Sequence, residues 1–217
     1  LHSSSNAGAQ LNRGSMHYHG KGDFAEARRS FGLAAAQGLA EAQFTLGKMH
    51  HIGEDGPPDL TEARRLYGLA AAQSHAVAQY TLGVMYYRGD GGPQDLAEAR
   101  RLFGLAAAQG HAEAQAVLGQ MHHLGHGGPP DFGEARRLLG LAAAQGIAEA
   151  QAGLGRMHHL GQGGPHDLAE ALRLYGLAAA QSNAAAQYML GNMHYDGDGG
   201  PQDFAEARRL LGLAAAQ

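Results

Sequence analysis

Histidine is the residue type best placed to do chemistry in this chain. Fourteen are present, and six stand as adjacent pairs, His50-His51, His122-His123 and His158-His159, at multiples of a 36-residue spacing. Neutral imidazole is a common zinc ligand. Adjacent positions on a helix, however, point about 100° apart, and equivalent residues in stacked units lie roughly 10 Å from one another, so such a pair does not converge on one ion. Tyr86 takes the same place in another unit. The histidines therefore read as packed or surface imidazoles, and no metal or other cofactor is expected. The Gly91-Gly92-Pro93 run and its copies share only composition with a phosphate loop, because the Gly-Lys-Ser/Thr ending is missing. Ser30, Ser74 and Ser182 fall at different points of the spacing, with no acid or oxyanion motif around them. Arg64-Arg65 and its copies could form a stripe for acidic partners, but pairing with Glu62-type residues on a solvated face is the expected role. No catalytic residue emerges, and the chain reads as a non-enzyme.

The elements that must position these residues come from the period itself. Gln43 returns as Gln79, Gln115, Gln151 and Gln187, and Asp59 returns as Asp95, Asp131, Asp167 and Asp203, each time after 36 residues. A fixed period of this size is the mark of a helical array. Ala40, Gln43, Leu46, Gly47 and His50 follow the spacing of a helix with one packed face, and Gly53 offers a left-handed stop; this is helix A. Asp59, three residues before Glu62, can cap a second helix while Glu62 reaches back toward the same end. Helix B then runs from about Leu60 to Gln73, with Leu60, Ala63, Leu66, Tyr67, Ala70 and Ala71 inward. Gly47 and Gly68 recur within these helices at a propensity cost of ~1 kcal/mol each, which close contact between helices would offset. Together A and B assign about 27 of every 36 residues to helix, so circular dichroism well below roughly half helix would contradict the reading.

Composition sets the outer bounds. The 217 residues divide into units 6–38, 39–74, 75–110, 111–146, 147–182 and 183–217, after a non-repeat segment at 1–5. The first unit is three residues short between His19 and Asp23, which marks that stretch as a loop. Cysteine and tryptophan are absent and glycine reaches 34 residues, far above the ~7% of ordinary chains. Packing must therefore run on Ala, Leu and Gly, and the fold does not depend on disulfides. A formal charge of −4 with 16 basic residues gives no footprint for nucleic acid. No apolar run approaches the ~20 residues of a spanning helix, so the expectation is a soluble chain of undetermined compartment.

The motif Ala-x-Ala-Gln-x-x-Leu-Gly-x-Met, then Gly-x-Gly-Gly-Pro-x-Asp, then Glu-Ala-x-Arg-Leu-x-x-Leu-Ala-Ala-Ala-Gln resembles the Sel-one-like repeat, a relative of the tetratricopeptide repeat, over residues 6–217. The resemblance implies an all-α, right-handed α/α superhelical solenoid of six helix pairs, with members acting as adaptors in complex assembly. Leu139 and Leu211 depart from the large aromatic often found at that position of helix B.

Two roles are compatible with this reading. One is a scaffold or adaptor binding a partner protein through the concave face; the other is a structural linker subunit inside a larger assembly. A pentatricopeptide-like RNA reader fits worse, given the acidic balance and the 36-residue spacing. The candidate partner-binding stripe lies on helix A, where units differ from one another. It comprises Glu41, Phe44 and Lys48, then Tyr80, Val84 and Arg88, then Gln120 and Leu124. It continues with Arg156 and Leu160 and ends with Tyr188, Asn192 and Asp196. Aromatic and arginine side chains are enriched at interface hot spots. Replacing Tyr80, Arg88 and Arg156 by alanine should then weaken binding with little change in the thermal transition, whereas Arg64 and Arg100 serve as the control on the opposite face. Because the last helix B has no polar cap after it, the array is expected to be extended or end-capped by a partner.

Overall fold

The computed structural model describes residues 2–216 and, within them, the side chains of all but residues 2–5 and Lys21. Leu1, the side chains of the 1–5 segment and Gln217 lie outside the described residues. The described residues form twelve α-helices and no strand, an all-α solenoid of helix pairs with a period of about 36 residues. The chain falls into two compact blocks, Leu1–His111 and Ala112–Gln217.

In the first block α1 (His2–Ser15), α3 (Ala40–Ile52) and α5 (Ala76–Arg88) are A helices, and α2 (Phe24–Ala36), α4 (Leu60–Ala72) and α6 (Leu96–Ala108) are B helices. In the second block the A helices are α7 (Ala112–Leu124), α9 (Ala148–Leu160) and α11 (Ala184–Asp196). Their B partners are α8 (Phe132–Ala144), α10 (Leu168–Ala180) and α12 (Phe204–Ala215). Within each block an A helix packs on its own B helix, and each B helix packs on the A helix that follows.

Local chemistry sets the ends of these helices. The Asp59 carboxylate accepts from the Glu62 N–H at 2.9 Å, and Asp95, Asp131 and Asp167 repeat that bond. Glu62 does not reach back to complete a capping box, as the spacing suggested. Arg65, one turn on, takes both of its oxygens at 2.7 Å and holds the carboxyl below its usual range. Gly53 stops α3 at φ 77°, its N–H donating to the Met49 carbonyl. The loop then returns so that the Asp59 N–H meets the His50 carbonyl at 2.8 Å.

The first unit keeps that closure without the loop. Where the three-residue deletion suggested a loop, Met16–Lys21 is π-helical, and the Asp23 N–H still reaches the His17 carbonyl at 3.1 Å. Widening the helix by one residue per turn lets a shorter chain make the same bond. The Tyr18 hydroxyl on this segment donates to Glu54 at 2.8 Å. Burial, reinforced by that carboxylate, pushes its pKa up to about 12.

Helix pairs close on a glycine. A Cβ at Gly47 would lie 2.9 Å from the Tyr67 ring, and one at Gly83 would lie 2.8 Å from Phe103. Gly68, Gly104 and their copies have nothing within 4 Å, so contact between helices does not explain them. Opposite signs are therefore expected from one substitution. Gly83→Ala should destabilise by about 2 kcal/mol through overpacking, while Gly104→Ala should stabilise by up to ~1 kcal/mol through propensity. Urea midpoints of the two variants check the pair, and equal signs would contradict the packing described.

Candidate functional site

The stripe residues occupy A helices in both blocks, but they are not equivalent there. In the first block Glu41, Lys48 and Arg88 are exposed, whereas Phe44, Tyr80 and Val84 are half-buried. The Phe44 ring lies between Tyr67 and His75, at centroid distances of 5.5 and 4.9 Å. Tyr80 lies in the same way between Phe103 and His111, at 5.7 and 4.8 Å. These two rings are part of the packing as well as of the surface. Glu41 receives His75 Nε2 at 3.0 Å, and Lys48 Nζ stands 6.0 Å from the Tyr18 ring centroid.

In the second block Leu124, Leu160 and Tyr188 are 56%, 58% and 54% exposed. Gln120, Arg156 and Asp196 are exposed and Asn192 is half-buried. Arg156 approaches His123 Nδ1 at 3.5 Å, and His123 Nε2 meets the Gln162 amide oxygen at 2.9 Å. Of the predicted residues, Gln120 and Arg156 share a concavity. It measures about 250 Å³ and is bounded also by Glu149, Ala152, Gly153, Tyr175, Asn183, Ala185 and Met189. Ala116 holds the same repeat position as Phe44 but is buried in the core around Leu139.

The histidines and the arginine pair have a joint role that spacing alone does not display. Arg65 pairs with its own Glu62, as expected, but Arg64 leaves its helix. It donates to the Pro93 carbonyl at 3.2 Å, and its guanidinium sits 3.7 Å over the Tyr86 ring. Arg28 likewise donates to the Asp55 carbonyl at 2.9 Å and lies 3.4 Å from His50 Nε2. Arg136 meets the Pro165 carbonyl at 3.3 Å and His158 Nδ1 at 2.8 Å. The loops after α3, α5 and α9 are thus landing surfaces for Arg28, Arg64 and Arg136 of the preceding units, with His50, Tyr86 and His158 as their floors. A metal cation would face a guanidinium there.

Burial first, and the neighbouring guanidinium second, lower the pKa of His50 and His158. A depressed histidine binds fewer protons in the folded state, so folding stability falls as pH drops through the unfolded value near ~6.5. The Glu62-type carboxylates act only in more acidic solution, since their pKa is lowered from an already acidic value. The melting temperature should be lower at pH 5.5 than at pH 7.5, and the drop should shrink in His50→Gln/His158→Gln. An unchanged drop in that variant would remove the two imidazoles as its cause.

The Sel1 repeat model matches residues 7–39, 40–75, 76–111, 112–147, 148–183 and 184–217. A protective antigen of uropathogenic Escherichia coli strains displaying an SLR fold is 34% identical, with a TM-score of 0.91 over 99% of this chain and 47% of that one. The chain thus spans about half the length of that antigen. A Sel1 repeat protein from Oxalobacter formigenes is 27% identical with a TM-score of 0.87, over 95% of this chain and 84% of that one. An immunity protein from Pseudomonas aeruginosa, 19% identical with a TM-score of 0.54 over 97% of this chain and 81% of that one, shares the fold. No curated protein matches the sequence.

Proposed function

The chain belongs to the Sel1 repeat family, and from that premise we propose that it is a non-enzymatic scaffold binding a partner protein along the varied stripe of its A helices, the stripe assigned above to the concave side. Proteins built from these repeats generally mediate protein–protein interaction. Among the described residues no helix is long and apolar enough to cross a membrane.

The observation that carries the reading is the contrast within each A helix. Positions equivalent to Ala42, Gln43, Leu46, Gly47 and Met49 are buried and repeat from α3 to α11. The stripe beside them is largely solvent-facing and differs in every unit. Packing holds the first set alike, whereas a surface that meets a non-repeating partner has reason to vary. Arg88, Arg156 and Tyr188 supply the exposed arginine and aromatic groups that anchor interfaces.

The structure changes the variant that tests this. Tyr80 packs against Phe103 and stacks on His111, so truncating it would lower the thermal transition, and Arg64 is a clamp between units rather than a neutral control. Arg88→Ala, Arg156→Ala and Tyr188→Ala together keep the core intact. Once cross-linking and mass spectrometry have identified a partner, the triple variant should bind it about 3 kcal/mol more weakly by titration calorimetry, with an unchanged melting temperature.

The linker reading has its own support where Tyr195 of α11 and Phe204 and Leu211 of α12 border an open concavity of about 550 Å³. A partner subunit would cover that face, which Arg208 also borders. Binding that survives the A-face variant but is lost in Tyr195→Ser/Phe204→Ser favours the linker.

A further inference from the structure

We propose that the cavity over Tyr175 receives an aromatic side chain of a partner polypeptide, whose neighbouring backbone carbonyl accepts a hydrogen bond from the Tyr175 hydroxyl. The proposal rests on the A-face reading above and names one subsite of it.

The repeat itself shows what fits there. In α3 and α5 a ring, Phe44 or Tyr80, fills the space between the B-helix aromatic and the residue that starts the next A helix. In α9 the same position is Ala152, followed by Gly153, while Tyr175 and Asn183 remain on either side. The fold keeps the two walls of a ring-shaped slot and omits the ring. What is left is a concavity of about 250 Å³ lined by Ala152, Gly153, Tyr175, Asn183 and Met189, with Arg156 beside them. That is less than the roughly 300–1,000 Å³ of a pocket that encloses a whole small molecule, and suits one side chain of a longer chain.

A second observation points the same way. Tyr175 is 1% exposed, yet its hydroxyl is buried without a hydrogen-bond partner. Buried polar groups are nearly always paired, so this hydroxyl on a wall of the concavity is a donor left over for an acceptor. Arg156, whose charge acts on Tyr175, is also a donor. Gln120, Glu149 and Asn183 also border the slot, and the Tyr175 and Arg156 donors suit an oxygen acceptor next to the ring.

N-acetyl-phenylalaninamide carries the ring and the carbonyl, and N-acetyl-leucinamide carries the carbonyl without the ring. Titrated against the full chain with a ¹³C-methyl label on Met189, the aromatic probe should shift the methyl signal saturably, with a Kd on the order of 1 mM. The leucine probe should bind several-fold more weakly. Ala152→Phe restores the ring of the other units and should remove the saturable shift; Ala152→Leu serves the same purpose if the phenylalanine variant does not fold. Tyr175→Phe keeps the ring wall and should weaken the aromatic probe about tenfold if the hydroxyl bond forms. Absence of a saturable shift, equal binding of the two probes, or binding that persists in the filled variant overturns the proposal. The A-face reading fails separately, through partner binding that survives the Arg88, Arg156 and Tyr188 substitutions while the probe still titrates Met189.

Discussion

Replacing Phe103 by alanine should cost about 4 kcal/mol of stability, the largest effect expected from one side chain in the first block. Its ring is 1% exposed. It lies on the backbone of α5 at Gly83, where a Cβ would stand 2.8 Å from the ring, and it also supports Tyr80 at 5.7 Å between centroids. Truncation therefore removes the group that joins α5 to α6 and leaves a cavity that the glycine opposite cannot fill. Phe103→Leu is the comparison that gives the number meaning. Leu139 and Leu211 stand at the equivalent position over Gly119 and Gly191, so the fold accommodates leucine against a glycine in two other pairs. Phe103→Leu should cost less than ~1.5 kcal/mol. Urea titration followed by circular dichroism measures both, and near-equal midpoints for the two variants would contradict this account of helix pairing.

Those leucines illustrate what the sequence could disclose. Helix A, helix B and the aspartate caps follow from a 36-residue period read with helical spacing, because backbone hydrogen bonds and one-sided burial depend on positions within a single unit. Contacts between units are less legible. Arg64 and Arg65 are adjacent and identical in type, yet one turns to Glu62 on its own helix and the other crosses to the Pro93 carbonyl. The difference is about 100° of helical rotation relative to a neighbour that periodicity does not locate. Gly47 and Gly68 recur with equal regularity for the same reason. Only the first has a ring against it, and spacing records recurrence rather than its cause. The π-helical Met16–Lys21 was hidden because a deletion reads as a loop, whereas the chain preserved the aspartate-to-histidine backbone bond by widening the helix. The stripe was found by asking where units differ. That test did not separate Phe44 and Tyr80, which pack, from Tyr188, which is exposed. The cavity over Tyr175 follows from the same difference read in reverse: Ala152 matters for the ring it lacks.

The recurring glutamine carries the second large expectation, that Gln79→Ala lowers stability by about 3 kcal/mol. Gln79 is 3% exposed, and its amide works in both directions. Its Nε2 donates to the Ala71 carbonyl at the end of α4 at 3.0 Å, and its Oε1 accepts from Gln109 at the end of α6 at 2.7 Å. One side chain thus joins the C-terminal ends of two successive B helices, where backbone carbonyls have run out of helical partners. Gln43 makes the same pair of bonds to Ala35 and Gln73. Alanine loses both bonds and the buried methylenes. Gln79→Leu separates the two contributions, because it keeps most of the apolar volume. The Ala71 carbonyl retains the Ser74 N–H at 3.0 Å, so the leucine variant should lose only about 1–2 kcal/mol. Hydrogen exchange locates the effect: amides at the ends of α4 and α6 should exchange faster in both variants, while those of α1 keep their rates. Uniform acceleration throughout the first block, or a leucine variant as unstable as the alanine one, would show that the glutamine acts through something other than these two helix ends.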